Sequence, residues 1–270
     1  MTRALGAVGA QPWPESDLAQ ARLEQRGALW HLVLFLFADR AGEVVATPFH
    51  VALAPGGVVS WSEAWPPFLD EVFARLRGMR ERVARRSEVV YHLVAGVLHD
   101  AWRFLDGIGD RIADLERAGL DPTGSSGFQR RLLAERRRVL RTRHLLASMR
   151  DAIHHLTGAV ALEGPEVVWY LELYDVVLRL FDTVDTYREL LDSIVDVHLA
   201  SVSNRLNEIV KSLTLVTTLM VPGSVVASLY GMNFDHMPGS RHPYGFYLVV
   251  GSAMVVSALL WWWFRRRRWI

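Results

Sequence analysis

SLTLVTTLMVPGSVVASLYGMN, residues 212–233, is the stretch on which the rest of this chain is arranged. With Phe234 it runs for 23 residues without a charge. A helix rises about 1.5 Å per residue, so roughly 20 apolar residues cross the ~30 Å hydrocarbon core of a bilayer. One stripe of this helix is nevertheless polar. Asn207, Val210, Thr214, Thr217, Val221, Ser224 and Ser228 follow one another at alternating spacings of 3 and 4, the seam of a left-handed bundle. Five of these seven side chains can hydrogen-bond, while Leu215, Leu219, Val226 and Leu229 lie off the stripe. A membrane helix with polar groups on its packing seam either binds other helices or lines water. Gly231 then lets the chain turn, and Asn233 presents an amide at the membrane surface.

Downstream, residues 243–264 form a second uncharged run that ends in Trp261, Trp262 and Trp263, residues suited to an interfacial belt. Arg265 to Arg268 follow at once. Basic flanks stay in the cytoplasm, which places the tail, residues 265–270, and Arg205 and Lys211 ahead of the first span, on that side. The loop 235–242 then faces outward and both termini are cytoplasmic, in keeping with a start that lacks a signal peptide. Pro222 inside the first span is either a tolerated kink or a flexible point in a gating helix.

Upstream, Gly164-Pro165 opens a helix, with proline near its first position. Leu171, Tyr174, Leu178, Phe181, Val184, Leu191 and Ile194 give it an apolar stripe. No breaker appears before Pro222, so residues 165–211 read as a stalk running into the membrane helix 212–234. Its carboxylates read as a solvated face, or as cation sites between subunits. Residues 87–156 read as a helical hairpin broken at 119–127, with Ser87 as N-cap. Its first arm repeats Val90, Val94, Val97, Ala101, Phe104, Ile108, Ile112 and Leu115. Its second buries Leu132, Leu133, Leu140, Leu146, Met149 and Ile153. That second arm carries seven arginines between Arg130 and Arg143, read as ion-paired, with anionic phospholipid or a neighbouring acidic helix as the alternative. Nucleic acid is not expected, since no recognised fold or stacking aromatics accompany the charge. His154 and His155 are adjacent and cannot share a metal as an i, i+4 pair would.

Residues 66–76 begin a shorter helix with Phe68, Val72, Phe73 and Leu76 on one face. Before it, residues 30–37, 43–53 and 58–61 read as strands of a small sheet, with Pro55-Gly56-Gly57 as a turn. Residues 1–27 read as an irregular lead-in. The chain of 270 residues has a formal net charge of +1 and no cysteine, which excludes disulfides, thiolate metal sites and cysteine nucleophiles. No nucleophile–base pair points to an enzyme. The fold class is a mainly α membrane protein: a small N-terminal α/β cytoplasmic domain over residues 1–164, a long stalk helix continuing into the first of two transmembrane helices, and a homo-oligomeric pore. Two spans cannot enclose a path alone, so copies of the first helix must surround an axis, with the second outside.

Tyr230-Gly231-Met232-Asn233-Phe234 with Met237-Pro238, preceded by Ser203-Asn204-Arg205-Leu206-Asn207-Glu208 and Leu213-Thr214, resembles the signature of the CorA-type magnesium transporters. The resemblance covers residues 171–270 well and the first half only loosely. It implies a homopentamer in a bacterial inner membrane that passes divalent cations, Mg2+ above all, through a filter of Gly231, Met232 and Asn233. Mg2+ holds its water tightly, so a ring of Asn233 amides would hydrogen-bond the hydration shell rather than strip it. Asp235 would raise the local cation concentration. Val210 and Leu213 would form a dewetting constriction, with Asn207 a polar ring below it. The resemblance also implies closure by Mg2+ at acidic sites between cytoplasmic domains, here Glu172 and Asp175, with Asp70 and Glu71 as candidate partners. Gly239 follows Pro238 where many relatives carry an acid, so one outer charge is missing. The alternatives are Zn2+, Co2+ or Ni2+ as the ion, and a non-conducting two-span sensor or scaffold. Missing cysteine weighs against soft metals, and the Asn233 and polar-stripe pattern weighs against a scaffold.

Overall fold

A continuous apolar run, Leu32–Phe37, and a tight Ala-Gly turn build the longest hairpin among the described residues. In this computed structural model the described residues are 20–63, 65–78, 85–120, 127–159, 166–232, 242–267 and 269. Strands β2 (Leu29–Arg40) and β3 (Glu43–Ala54) pair antiparallel from Trp30↔Leu53 to Arg40↔Glu43. Ala41 (φ 53°) and Gly42 (φ 90°) join them, both in the left-handed region that a two-residue hairpin turn demands. Strand β4 (Gly57–Ser62) extends one edge, and β1 (Arg22–Arg26) the other. The order β1-β2-β3-β4 is a simple antiparallel meander. The three expected strands are present. β1 falls where an irregular lead-in was expected; its sequence, RLEQR, has one apolar residue, Leu23, which pairs with Leu32 at the sheet edge.

Helices α1 (Phe68–Gly78), α2 (Arg86–Gly119), α3 (Phe128–Ala159) and the first part of α4 (Glu166–Tyr230) complete the first of two units, Met1–Val197. Leu34, Phe49 and Val51 of the sheet join Val94, Val97, Ile108, Leu146, Ile153, Val177 and Leu180 in one apolar core. Burying such a side chain contributes about 1.5–3 kcal/mol. The expected α2 stripe is buried except Phe104, which is half-buried and stacks on Phe37 at 5.5 Å.

Three sequence expectations change here. Leu133 and Leu140 are exposed, because the seam of α3 runs through Phe128, Glu135, Val139, Thr142, Leu146, Met149, Ile153 and Leu156. On α4 the core face is Tyr170, Leu173, Val177, Leu180 and Val184, about one residue round from the expected Leu171, Tyr174 and Leu178 stripe. That segment is apolar on two adjoining faces, and the Tyr170 hydroxyl, donating to the Ser87 carbonyl at 2.8 Å, fixes which one turns inward. Ser87 is not the cap of α2: Arg85 takes the extended cap position and no side chain caps the helix.

The second unit, His198–Ile270, holds the rest of α4 and α5 (Gly245–Arg266). Both helices contain a stretch long and apolar enough to cross a membrane. The Ser257 hydroxyl of α5 donates to the Leu219 carbonyl at 3.3 Å, and Tyr230 meets Phe246 edge to face at 5.4 Å. Helix α4 continues through Pro222 without a break. Sheet and hairpin helices thus lie within residues 20–159, and one unbroken helix, α4, runs from Glu166 to Tyr230.

Candidate functional site

The polar stripe is arranged on α4 as a continuous exposed face. Lys211, Leu215, Leu219, Pro222, Val226 and Tyr230 form the half-buried side that meets α5 and its following residues. Asn207, Val210, Thr214, Thr217, Val221, Ser224 and Ser228 are exposed, as is Leu213. At about 100° per residue the stripe lies more than a third of a turn from the α5 side. Ser224, at its margin, also borders the groove between α4 and α5.

Three stripe hydroxyls share one habit. Thr214 donates to the Val210 carbonyl at 2.8 Å, Thr217 to Leu213 at 2.8 Å, and Ser224 to Val221 at 2.9 Å. Each proton is committed to its own helix, so the lone pairs of the oxygen are what face outward. At the end of α4, the Gly231 N–H returns to the Ala227 carbonyl at 2.9 Å and Met232 N–H to Leu229 at 3.4 Å. A side chain at Gly231 would press its Cβ to 3.1 Å from the Ala227 oxygen, a tight contact that favours glycine there. Met232 is exposed; Asn233 and Asp235 lie outside the described residues.

Glu172 is exposed and its Oε2 accepts the Tyr91 hydroxyl at 3.4 Å. Burial, then the Glu172 charge, pushes the Tyr91 phenol above its ordinary pKa. Asp175, three residues on, is also exposed. Asp70 accepts the Trp65 indole N–H at 3.1 Å, and Glu71 lines a pocket with Arg75, His92 and His99. Among the described residues no hydrogen bond joins Asp70 or Glu71 to Glu172 or Asp175, and no three acidic or histidine side chains are grouped to hold a metal. One copy thus presents two carboxylates, not a finished site.

Two other stalk acids, Asp185 and Asp192, pair with the arginine arm. Arg143 donates to both Asp185 oxygens at 2.6 and 3.3 Å, which holds Asp185 below its ordinary pKa, and lies 4.6 Å above the Phe181 ring. Arg136 pairs with Asp192 at 3.2 Å. Arg138 pairs with Glu135, itself bonded by Arg111 at 3.0 Å, and donates to the Gly42 carbonyl at 2.9 Å. His154 and His155 are exposed near the end of α3. Sequence reasoning overlooked a buried histidine pair, in which His31 Nε2 and His50 Nδ1 lie 3.1 Å apart and Trp61 stacks on both rings. The signal available was two histidines within consecutive apolar strands. Burial first, then neighbouring charge, lowers His31 to about 3 and His50 to about 4, so both rings are neutral.

A match to the family described as CorA-like Mg2+ transporter protein covers residues 15–266. The cobalt/magnesium transport protein CorA of Thermotoga maritima is 28% identical over 243 residues, which is 88% of this chain and 69% of that one. The divalent cation transporter CmaX of Pseudomonas aeruginosa is 28% identical over 165 residues, or 60% of this chain and 49% of that one. Among solved structures, the complete CorA magnesium transporter of Methanocaldococcus jannaschii superposes with a TM-score of 0.77 over 100% of this chain and 87% of that one, at 22% identity. Full-length CmaX superposes with a TM-score of 0.67 at the same 22% identity.

Proposed function

The chain belongs to the CorA-like Mg2+ transporter family, a family of membrane transporters and not of enzymes, and from that membership we propose that it is a channel-like carrier of divalent cations, Mg2+ foremost. Several copies, five by the family resemblance, gather with α4 inward and α5 toward lipid. The observation that carries this reading is the exposed stripe on α4, turned away from α5, with three of its four hydroxyl protons committed to the helix. A hydrated dication presents water hydrogens outward. A wall of lone pairs accepts those hydrogens without displacing the water that Mg2+ holds so tightly. The Asn233 amides form the outer ring, behind Gly231 and Met232, and Asp235 draws cations toward it. Val210 and Leu213 narrow the inner end as an apolar gate above a ring of Asn207. Both termini lie in the cytoplasm, as the arginine-rich tail directs.

Glu172 and Asp175, exposed and three residues apart on α4, supply part of a regulatory Mg2+ site completed by a neighbouring copy. Bound there, the ion would favour the closed arrangement only to the extent that it binds that arrangement better. A second ion is favoured by one comparison, since the Thermotoga relative is named for cobalt as well as magnesium.

The test is flux into liposomes holding the purified full chain, with Mg2+, Co2+, Ni2+ and Zn2+ offered in turn. Mg2+ uptake is expected, and Asn233→Ala is expected to abolish it while the oligomer persists on size-exclusion chromatography. Unchanged Mg2+ flux in that variant would favour a scaffold in place of a channel.

A further inference from the structure

The C-terminal end of α5 carries a feature that conduction does not use. Arg265 lies 5.3 Å above the ring of Trp261, Arg266 5.5 Å above Trp262, and Arg267 5.6 Å above Trp263. Three consecutive indoles thus each hold the guanidinium four residues on. Consecutive residues point about 100° apart, so the three pairs fan round more than half of the helix end. All six side chains are exposed. Phe264 between them is buried, and the chain folds back so that the Trp269 N–H meets the Phe264 carbonyl at 3.0 Å. No carboxylate pairs with Arg265, Arg266 or Arg267 among the described residues, and the sequence has no acidic residue after Asp235.

We propose that this arginine–tryptophan collar is a binding site for anionic glycerophospholipid, with the phosphodiester held by guanidinium edges and the acyl chains lying along the apolar face of α5. Stacking on indole fixes each guanidinium plane and leaves its N–H edge free, the group that matches a phosphate in bidentate fashion. The indoles set the depth, because they settle between hydrocarbon and headgroup. Leu259 and Val255, both exposed, continue the same surface into the span. A soluble phosphate would satisfy the cations but leave that surface bare, so the ligand is a lipid. Anionic headgroups are selected over zwitterionic ones because the collar's charge has no internal counterpart. The proposal rests on the membrane-spanning reading of α4 and α5, and not on conduction.

The experiment uses the full chain, purified in detergent and stripped of lipid, titrated with phosphatidylglycerol or phosphatidylcholine, with bound lipid counted by native mass spectrometry. Each cation at an anionic surface is worth about a fivefold preference. The parent is expected to retain phosphatidylglycerol over phosphatidylcholine by well over fivefold. The triple variant R265Q/R266Q/R267Q is expected to lose that preference. The triple variant W261L/W262L/W263L, which keeps the charge, should lose part of it. Equal retention of the two lipids by the parent overturns the proposal without any variant having to fold, as does an unchanged preference in the glutamine variant. Inorganic phosphate that displaces phosphatidylglycerol at equal concentration overturns the lipid assignment. Flotation with phosphatidylcholine liposomes separates the premises. A parent that stays in the soluble fraction sinks the membrane-spanning reading and the proposal together, whereas one that floats without headgroup preference sinks the proposal alone.

Discussion

Ala41 holds a backbone conformation that its own methyl group resists. At φ 53° it is the left-handed, non-glycine residue of the β2–β3 turn. For an L-residue this costs about 1 kcal/mol. Asparagine tolerates the region and is favoured in such turns. Ala41→Asn is therefore expected to raise stability by roughly 1 kcal/mol, read as a higher melting temperature of the purified chain. The His31–His50 pair makes an opposite demand. Both rings are held below the ordinary 6.5, at about 3 and about 4, so the folded chain refuses protons that the unfolded chain accepts. Stability then falls as pH drops below 6.5 and levels off only once the folded rings themselves titrate. Asp100, raised by burial, acts in the other sense. Comparison with His31→Phe/His50→Phe, which keeps two stacked rings, isolates the histidines: its melting temperature should fall less between about pH 7.5 and about pH 5.

At the scale of the element, α3 shows what patterning reveals and what it hides. Strands β2, β3 and β4, the two hairpin helices and the unbroken α4 are legible from short apolar runs, helical spacing and breakers. Leu133 and Leu140 belong to the apolar stripe the sequence suggests, yet Glu135 and Thr142 occupy the seam instead. A carboxylate belongs there because Arg138, three residues on along the same helix, and Arg111 of α2 both reach it, and the Arg111 contact joins residues distant in sequence. No single-helix pattern contains that information. β1 escaped notice for a related reason, since an edge strand of five residues is defined by its partner. Glu135→Gln leaves Arg111 and Arg138 with only the longer contacts to Asp39, 3.7 and 3.6 Å, and Glu135 is only 6% and Arg138 12% exposed at the side chain. Loss of about 3 kcal/mol is expected, measured by denaturant unfolding. An exposed pair such as Arg136–Asp192 should cost less than about 1 kcal/mol when broken.

For the whole molecule, the candidate site was legible wherever it lies on one helix. The polar stripe needs only spacing, and it falls on one exposed face of α4. Glu172 needed the family resemblance, and its Tyr91 partner needed the fold. In the proposed regulatory site a neighbouring copy would supply the completing carboxylates, which a single chain does not disclose. The gating reading gives a direct expectation. Liposomes loaded with Mg2+ should take up Mg2+ more slowly than Co2+-free, Mg2+-free ones, and Glu172→Gln/Asp175→Asn should narrow that difference. An equal rate in loaded and empty liposomes would remove the regulatory role and leave conduction standing.

The hydroxyls of Thr214, Thr217 and Ser224 have a last consequence within the proposed pore. With their hydrogens turned back to the helix, they offer a passing chloride nothing to bind. Counter-ions are then left behind although the stripe itself bears no formal charge. Metal entry becomes electrogenic: each ion that crosses alone builds a voltage opposing the next, and uptake should quicken when an ionophore for K+ drains it.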